Sequence, residues 1–303
     1  MYRVNTLALA VACALSASVS AQTASNEKRE ALEEVNVTVS PLAKPADAVA
    51  APVSVLSGDE LRKSASATLG QTLNSQLGVA NASFGGGVGL PVIRGQSANR
   101  VKVLNDNLDV ADASNTSSDH AASIEPLLAN SIEILRGPAA LRYGSGAIGG
   151  VVNVLDGRIP TEVPEELEGA VEMRHDTANS QDASVFRLQG GSGNLAWYLD
   201  GVYRENGDTQ IPGLAIREHD EHEEHDHEEH AEEEHHEEEF NTDGFVGNTN
   251  ARAKSGSAGL SWITDTGFVG LSVNRLENNY GIPLGTHVHH EEEHGEEEHE
   301  EHA

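Results

Sequence analysis

The sequence predicts a small α+β domain followed by the first strands of a transmembrane antiparallel β-barrel. Three observations predict it. Residues 49–156 are short apolar runs separated by Gly-rich turns. After Pro164, apolar and polar residues alternate with period two in segments of about ten residues, as in barrel strands with one lipid face and one lumen face. The links between those segments alternate short and long, as membrane barrels alternate periplasmic turns with extracellular loops.

The chain opens with MYRVNTLALAVACALSASVSAQ, which has a basic Arg3, an apolar stretch from Leu7 to Leu15, and Val19-Ser20-Ala21 in small-x-small order. This predicts a secretory signal peptide over residues 1–21, cut after Ala21. A membrane anchor is the alternative, and the apolar stretch is short for spanning a bilayer. Cys13 is the single cysteine and falls inside the signal, with Ala10 where a lipoprotein signal carries a Leu-type residue. The mature chain therefore has neither disulfides nor thiolate metal sites. Residues 22–48 form a polar, Pro-punctuated arm. Its stretch EEVNVTVS, from Glu33 to Ser40, alternates Val with polar residues and suits addition as an edge strand to a partner.

Over residues 49–160, APVSVLS reads as a strand, and Ser57 with Glu60 gives the spacing of a capping box for the helix that follows. TLGQTLNSQL is a second helix, and LPVIRG, VKVLNDN, SIEILRG and IGGVVNVLDG are strands. Strands interleaved with short helices at this length make one compact mixed domain.

Residues 161–303 change habit. In LEGAVEMRH, Leu167, Gly169, Val171 and Met173 share one face against Glu168, Glu172 and Arg174. In NLAWYLDGVYR, Leu195, Trp197, Leu199 and Tyr203 oppose Tyr198, Asp200 and Arg204, and GLSWIT and GFVGLSVNRL continue the pattern. A soluble β-sandwich is the alternative, but its strands are usually shorter. The links GGSGN and TDTG are short, and DTANSQD is read as longer. The two remaining connections hold long acidic inserts, at 218–239 and 287–303. Both inserts thus fall on the extracellular side. Five strands leave an edge that lipid does not tolerate, so a longer chain is expected, with a barrel of about 22 strands to house the domain.

The inserts also hold the charge. Formal net charge is −30, and setting aside the 22 acidic residues of the two runs leaves −8. No basic patch offers itself to nucleic acid. Thirteen of the fifteen histidines lie in the runs. His219, His222, His225, His227 and His230 recur every two or three residues, His235 and His236 adjoin, and the second run brings His287, His289, His290 and His294. His-rich tracts are the compositional sign of metal binding, and imidazole suits zinc, nickel and copper(II) while carboxylates add oxygen ligands. Plain solvation of a surface is the alternative, yet Glu alone would serve it. Copper(I) is disfavoured, since Met1 and Met173 are the only methionines and the mature chain has no thiol. Zinc stands first by ligand type, with nickel and copper(II) open. Several overlapping weak sites suit capture and local concentration. Neither a nucleotide-binding loop nor a Ser/His/Asp or paired-carboxylate set is present, so an enzyme is not expected.

The segment SIEILRGPAALRYGSGAIGGVVNVLDGRIP resembles the plug domain of TonB-dependent outer-membrane receptors. The matching residues are Ile132, Glu133, Arg136, Gly137, Pro138, Tyr143, Gly144, Ser145, Ala147, Gly149, Gly150, Val151 and Asn153. PVIRGQ fits a further Arg-Gly motif of that family, and EEVNVTVS looks like its TonB box. The resemblance implies an α+β plug (a small mixed sheet with short helices) inside a barrel in the Gram-negative outer membrane, in contact with outer-membrane lipid. It implies active uptake driven by a TonB–ExbB–ExbD-type complex acting on residues 33–40. Arg94 and Arg136 are expected to pair with acidic groups inside the barrel, since a buried guanidinium needs a partner. The His-rich loops resemble the zinc-uptake branch, whose plug apex carries an Asp-His pair. Asp119 and His120, in SSDHAAS, stand in the matching place, with an ordinary loop histidine as the alternative. No permanently bound cofactor is expected, and Zn2+ enters as the transported ligand. A receptor for a siderophore or other metal chelate (nickel or copper), or a surface metal-binding protein that transports nothing, are the competing readings.

Overall fold

The computed structural model describes residues 36–37, 44–45, 53–216 and 241–283. In the arm, β1 (Asn36–Val37) pairs antiparallel with β2 (Lys44–Pro45), so part of the 33–40 patch is extended and hydrogen-bonded.

The N-terminal domain runs β3 (Val53–Ser57), α1 (Gly58–Ser64), α2 (Leu69–Leu73), β4 (Val79–Ser83), β5 (Gly89–Ile93), β6 (Val101–Asn105), β7 (Leu108–Asp109), β8 (Ser131–Leu135) and β9 (Gly150–Leu155). Its main sheet is ordered β3-β8-β9-β6-β7, with β6–β9 the one parallel pair, and β4–β5 form a separate hairpin. Central strands β8 and β9 are β-branched and nearly continuous in apolar side chains, because both faces are covered. Ile132, Ile134 and Val152 have no exposed surface, and they pack with Leu56, Leu73 and Ile93. The expected capping box does not form. Gly58 takes a left-handed φ of 53°, Ser57 makes no side-chain bond to the helix, and Glu60 accepts instead from Gln76 Nε2 at 3.3 Å. Thr68 does cap α2, its Oγ1 accepting from the Gln71 amide at 3.3 Å.

Two residues of the glycine-rich signature meet in this sheet. Glu133 and Asn153 are paired in register on β8 and β9, both fully buried. Asn153 Nδ2 donates to Glu133 Oε2 at 3.1 Å, and Asn153 Oδ1 accepts from the Asn107 amide at 2.9 Å, which ties down the turn after β6. Gly150 is required where β9 begins, because a Cβ there would lie 2.7 Å from the Leu135 carbonyl oxygen.

The C-terminal half is one antiparallel wall. β10 (Glu168–Asp176), β11 (Gln181–Ser192) and β12 (Leu195–Asn206) are followed by a small hairpin of β13 (Thr209–Leu214) and β14 (Asp243–Val246). β15 (Ala251–Thr264) then pairs with β12, and β16 (Gly267–Tyr280) closes the order β10-β11-β12-β15-β16. Strands of 14 residues extend roughly 45 Å, enough to cross a hydrocarbon core of about 30 Å while tilted. The apolar residues of the alternation point out: Val171 is 76% exposed, Leu271 75% and Val273 66%. Polar and small residues point in, where Asp200, Arg204, Ala253 and Ser261 are buried. Among the described residues no helix is long and apolar enough to cross a membrane. The exposed apolar band belongs to strands.

The connections alternate between the two ends of the wall, and one of them differs in length from the expectation. Residues 193–194 and 265–266 link strands at one end of the wall; 177–180 and the long 207–250 segment link them at the other. The link read from DTANSQD as longer is a four-residue turn, because β10 and β11 pair out to Asp176↔Gln181. The β13–β14 hairpin, which the sequence did not announce, forms the stem of the first insert.

Arginines seat the domain on the wall. Arg187 Nη2 donates to the Leu127 and Ala129 carbonyls at 2.6 and 3.1 Å, and Arg174 donates to the Arg62 carbonyl at 2.6 Å. Arg204 Nη2 lies 3.2 Å from Glu125 Oε2, with side-chain exposures of 2% and 4%. Ala183, Val185 and Val202 of the wall complete the apolar core around this pair. The acidic partners expected for Arg94 and Arg136 are not among the described residues: Arg136 donates to Ser54 Oγ at 3.1 Å, and burial and the neighbouring Arg94 guanidinium hold its pKa below the usual value.

Candidate metal centre

Asp119 and His120 sit in the loop between β7 and β8. That loop folds by its own short polar side chains, as Asp and Ser favour in turns. Asp112 Oδ1 accepts from the Ser114 amide at 3.1 Å, and its Oδ2 accepts from the Ser123 amide at 2.6 Å, which closes the base. At the tip the Ser117 hydroxyl donates to Asp119 Oδ1, and the His120 amide donates to the Ser117 carbonyl at 3.4 Å. His120 Nδ1 is 3.6 Å from Asp119 Oδ1, and the two side chains are 44% and 41% exposed. The Ser117 hydroxyl holds the Asp119 carboxyl below its usual pKa, so it is an anion at neutral pH.

An adjacent carboxylate and imidazole offer one hard and one borderline donor, which suits a first-row divalent cation. They are two ligands of the three or four that zinc takes. Among the described residues no group of three or more His, Cys, Asp or Glu side chains is arranged to hold a metal ion. The remaining candidates, His219, His222, His225, His227, His230, His235, His236, His287, His289, His290 and His294, lie outside the described residues. The strand ends that lead to them are described. β12 ends at Asn206 and β15 begins at Ala251, flanking the first insert, and β16 ends at Tyr280, seven residues before His287. All lie at one end of the wall, paired as Asn206↔Ala251↔Tyr280. The apex loop is at that same end, because the Ala121 amide donates to Tyr280 Oη at 3.1 Å.

A second strip of the domain reaches the same rim. The Gly86 amide donates to the Thr249 carbonyl at 3.1 Å, and a Cβ on Gly86 would lie 2.6 Å from that oxygen. A Cβ on Gly87 would lie 2.3 Å from Tyr280 Cβ. The rim of the wall presses on the backbone of the FGGGVG run at Gly86 and Gly87, a reason for glycine that the sequence reading missed. A cavity of about 560 Å3 opens alongside, lined by Asn206, Asn250, Arg252 and Tyr280 among others. His175, the other histidine outside the tracts, is on the opposite, outward face, with Nδ1 2.8 Å from Asp182 Oδ1.

A sequence profile described as TonB-dependent Receptor Plug Domain matches residues 45–151. Over residues 45–151 the chain is thus similar in sequence to a TonB-dependent receptor plug. The hemin receptor of Yersinia pestis is 31% identical over 156 residues, covering 50% of this chain and 23% of that protein. Among solved structures, the copper transporter OprC superposes with a TM-score of 0.57 at 17% identity, over 76% of this chain and 31% of that one. The siderophore receptor PirA of Acinetobacter baumannii gives 0.50 at 22% identity, over 76% and 32%. A mutant of the ferric enterobactin receptor PfeA of Pseudomonas aeruginosa gives 0.53 at 19% identity, over 82% and 35%. At these identities the structural likeness is one of fold: plug followed by antiparallel barrel strands. The chain spans about a third or less of the proteins it matches.

Proposed function

We propose that this protein serves TonB-dependent uptake of zinc across the outer membrane of a Gram-negative cell. The His/Glu tracts capture metal outside, Asp119 and His120 receive it on the plug, and the plug gates the barrel. Energy enters through residues 33–40, pulled by a TonB–ExbB–ExbD-type complex. The exposed apolar faces of β10–β16 meet outer-membrane lipid. Sidedness carries the reading: the strand ends beside both tracts and the apex loop share one end of the wall. Tracts with overlapping weak sites raise the local metal concentration above a discrete pair, which then needs little intrinsic affinity to fill. Both ligand types bind metal deprotonated, so capture weakens as pH falls.

The similar proteins are a copper transporter, siderophore receptors and a hemin receptor by name. A metal or metal-chelate receptor is therefore the coarser form of the same reading, and copper(II), nickel or a chelate is its alternative cargo. Titration calorimetry of the purified protein with Zn2+, Cu2+, Ni2+ and a ferric siderophore separates them. The zinc reading expects saturable Zn2+ binding that weakens when Asp119→Ala and His120→Ala are combined. Tight siderophore binding with Zn2+ heats indifferent to that pair would replace zinc with a chelate.

A further inference from the structure

Over residues 112–123, the part of the loop that carries Asp119 and His120 makes one side-chain hydrogen bond to the wall among the described residues, and Tyr280 makes it. We propose that Tyr280 is a positioning residue for the metal pair: through the Ala121 amide it sets the loop backbone that brings Asp119 and His120 together. This deepens the zinc reading of that pair and rests on it.

The geometry supports the role in three ways. Tyr280 is the last residue of β16 and lies on the inner face, paired with Ala251, so its ring points over the plug. Its approach is possible only because residue 87 is glycine, with space for Tyr280 Cβ where a side chain would stand. Its phenol oxygen accepts from the backbone of the residue directly after His120, 159 positions away in sequence. The rest of the loop is fastened by its own carboxylate, Asp112, to its own amides. That fastening fixes the base, and Tyr280 fixes the tip. The tip matters more for ligation, since consecutive residues offer both side chains to one ion only in a narrow range of backbone angles.

The position also gives coupling. Tyr280 closes the strand from which the chain continues toward the second His tract. An ion that holds Asp119 and His120 in place favours the Ala121–Tyr280 bond, and the bond favours the ion by the same factor.

The test is hydrogen exchange, read by mass spectrometry on peptides spanning 117–123, against Zn2+ concentration and in the intact protein in detergent. This readout is local and blind to metal held on the tracts. In the wild type, Zn2+ slows exchange of the segment. Tyr280→Phe keeps the ring and removes the acceptor; it raises the Zn2+ concentration needed for half protection about two- to ten-fold, the range of one net hydrogen bond. Gly87→Ala, which displaces the ring without touching the phenol, raises it in the same direction. Exchange in β15–β16 peptides confirms that both variants are folded. Asp119→Ala with His120→Ala abolishes Zn2+ protection. If wild type is protected but neither Tyr280→Phe nor Gly87→Ala shifts the midpoint, the positioning role is wrong while the metal pair survives. If wild type shows no Zn2+ protection, the metal pair itself is wrong and the inference falls with it.

Discussion

Val152 in the plug and Leu271 in the wall are both strand aliphatics, yet the first is 0% exposed and the second 75%. In the plug sheet, apolar residues turn away from solvent on both faces, and the buried polar ones, Glu133 and Asn153, bond to each other. In the wall the sense is mostly inverted: apart from Val185 and Val202 the larger aliphatics face out, and Asp200 and Arg204 face in, covered by the plug. Backbone geometry is the same in both. What differs is which faces are covered: both faces of the plug sheet are, and only the inner face of the wall is. The contact between them joins arginines reaching for plug carbonyls and one carboxylate to an apolar patch of Ala183, Val185 and Val202.

The comparison breaks hardest at that contact. Glu125→Ala leaves Arg204 charged and buried, and removal of one partner of such a pair costs about 3–5 kcal/mol. Denaturant unfolding should show the plug separating from the wall at lower denaturant than in the wild type. Next comes the outer face. Leu271→Arg should cost about 2–4 kcal/mol when folding is measured in lipid vesicles, while Ser272→Arg on the inner face costs less. Equal costs would mean that the outer face does not meet lipid.

A smaller effect tests the plug as a water-facing domain. Burial, then Asp156, pushes the Asp106 carboxyl up to about 7, with Arg158 Nε 3.7 Å away. A raised acid binds its proton more tightly in the folded state, so its contribution is full below about 4, the unfolded value, and is lost as pH rises through about 7. The side chain is 37% exposed, and solvent screens part of the effect. Asp106→Asn should flatten that decline in a denaturant-midpoint series across the window. Last, Thr68→Ala should cost about 1 kcal/mol as a lost helix cap, and Ser57→Ala close to nothing, because Ser57 caps no amide.

Much of this was legible in the sequence. Period-two alternation with aliphatics such as Val171 and Leu199 marked the wall and gave the faces correctly, because side-chain direction in a strand follows from position alone. The turns at 193–194 and 265–266 were read as short links and share one end of the wall. The 177–180 turn was misjudged, since strand ends depend on pairing partners and not on local composition. The capping box failed for a similar reason: spacing put Ser57 and Glu60 together, but a left-handed Gly58 redirects the backbone between them. Asp119 and His120 came from a resemblance, and their neighbour Tyr280 came from neither pattern nor motif. A contact across 159 residues leaves no local trace. The Glu125–Arg204 pair was hidden likewise, each half reading as an ordinary charged residue.

The most direct test is energised uptake of radioactive zinc by cells producing this protein, compared with a variant lacking residues 33–40. Loss of uptake with zinc binding retained is the predicted result. Uptake unchanged by the deletion would contradict active, TonB-dependent transport by this protein.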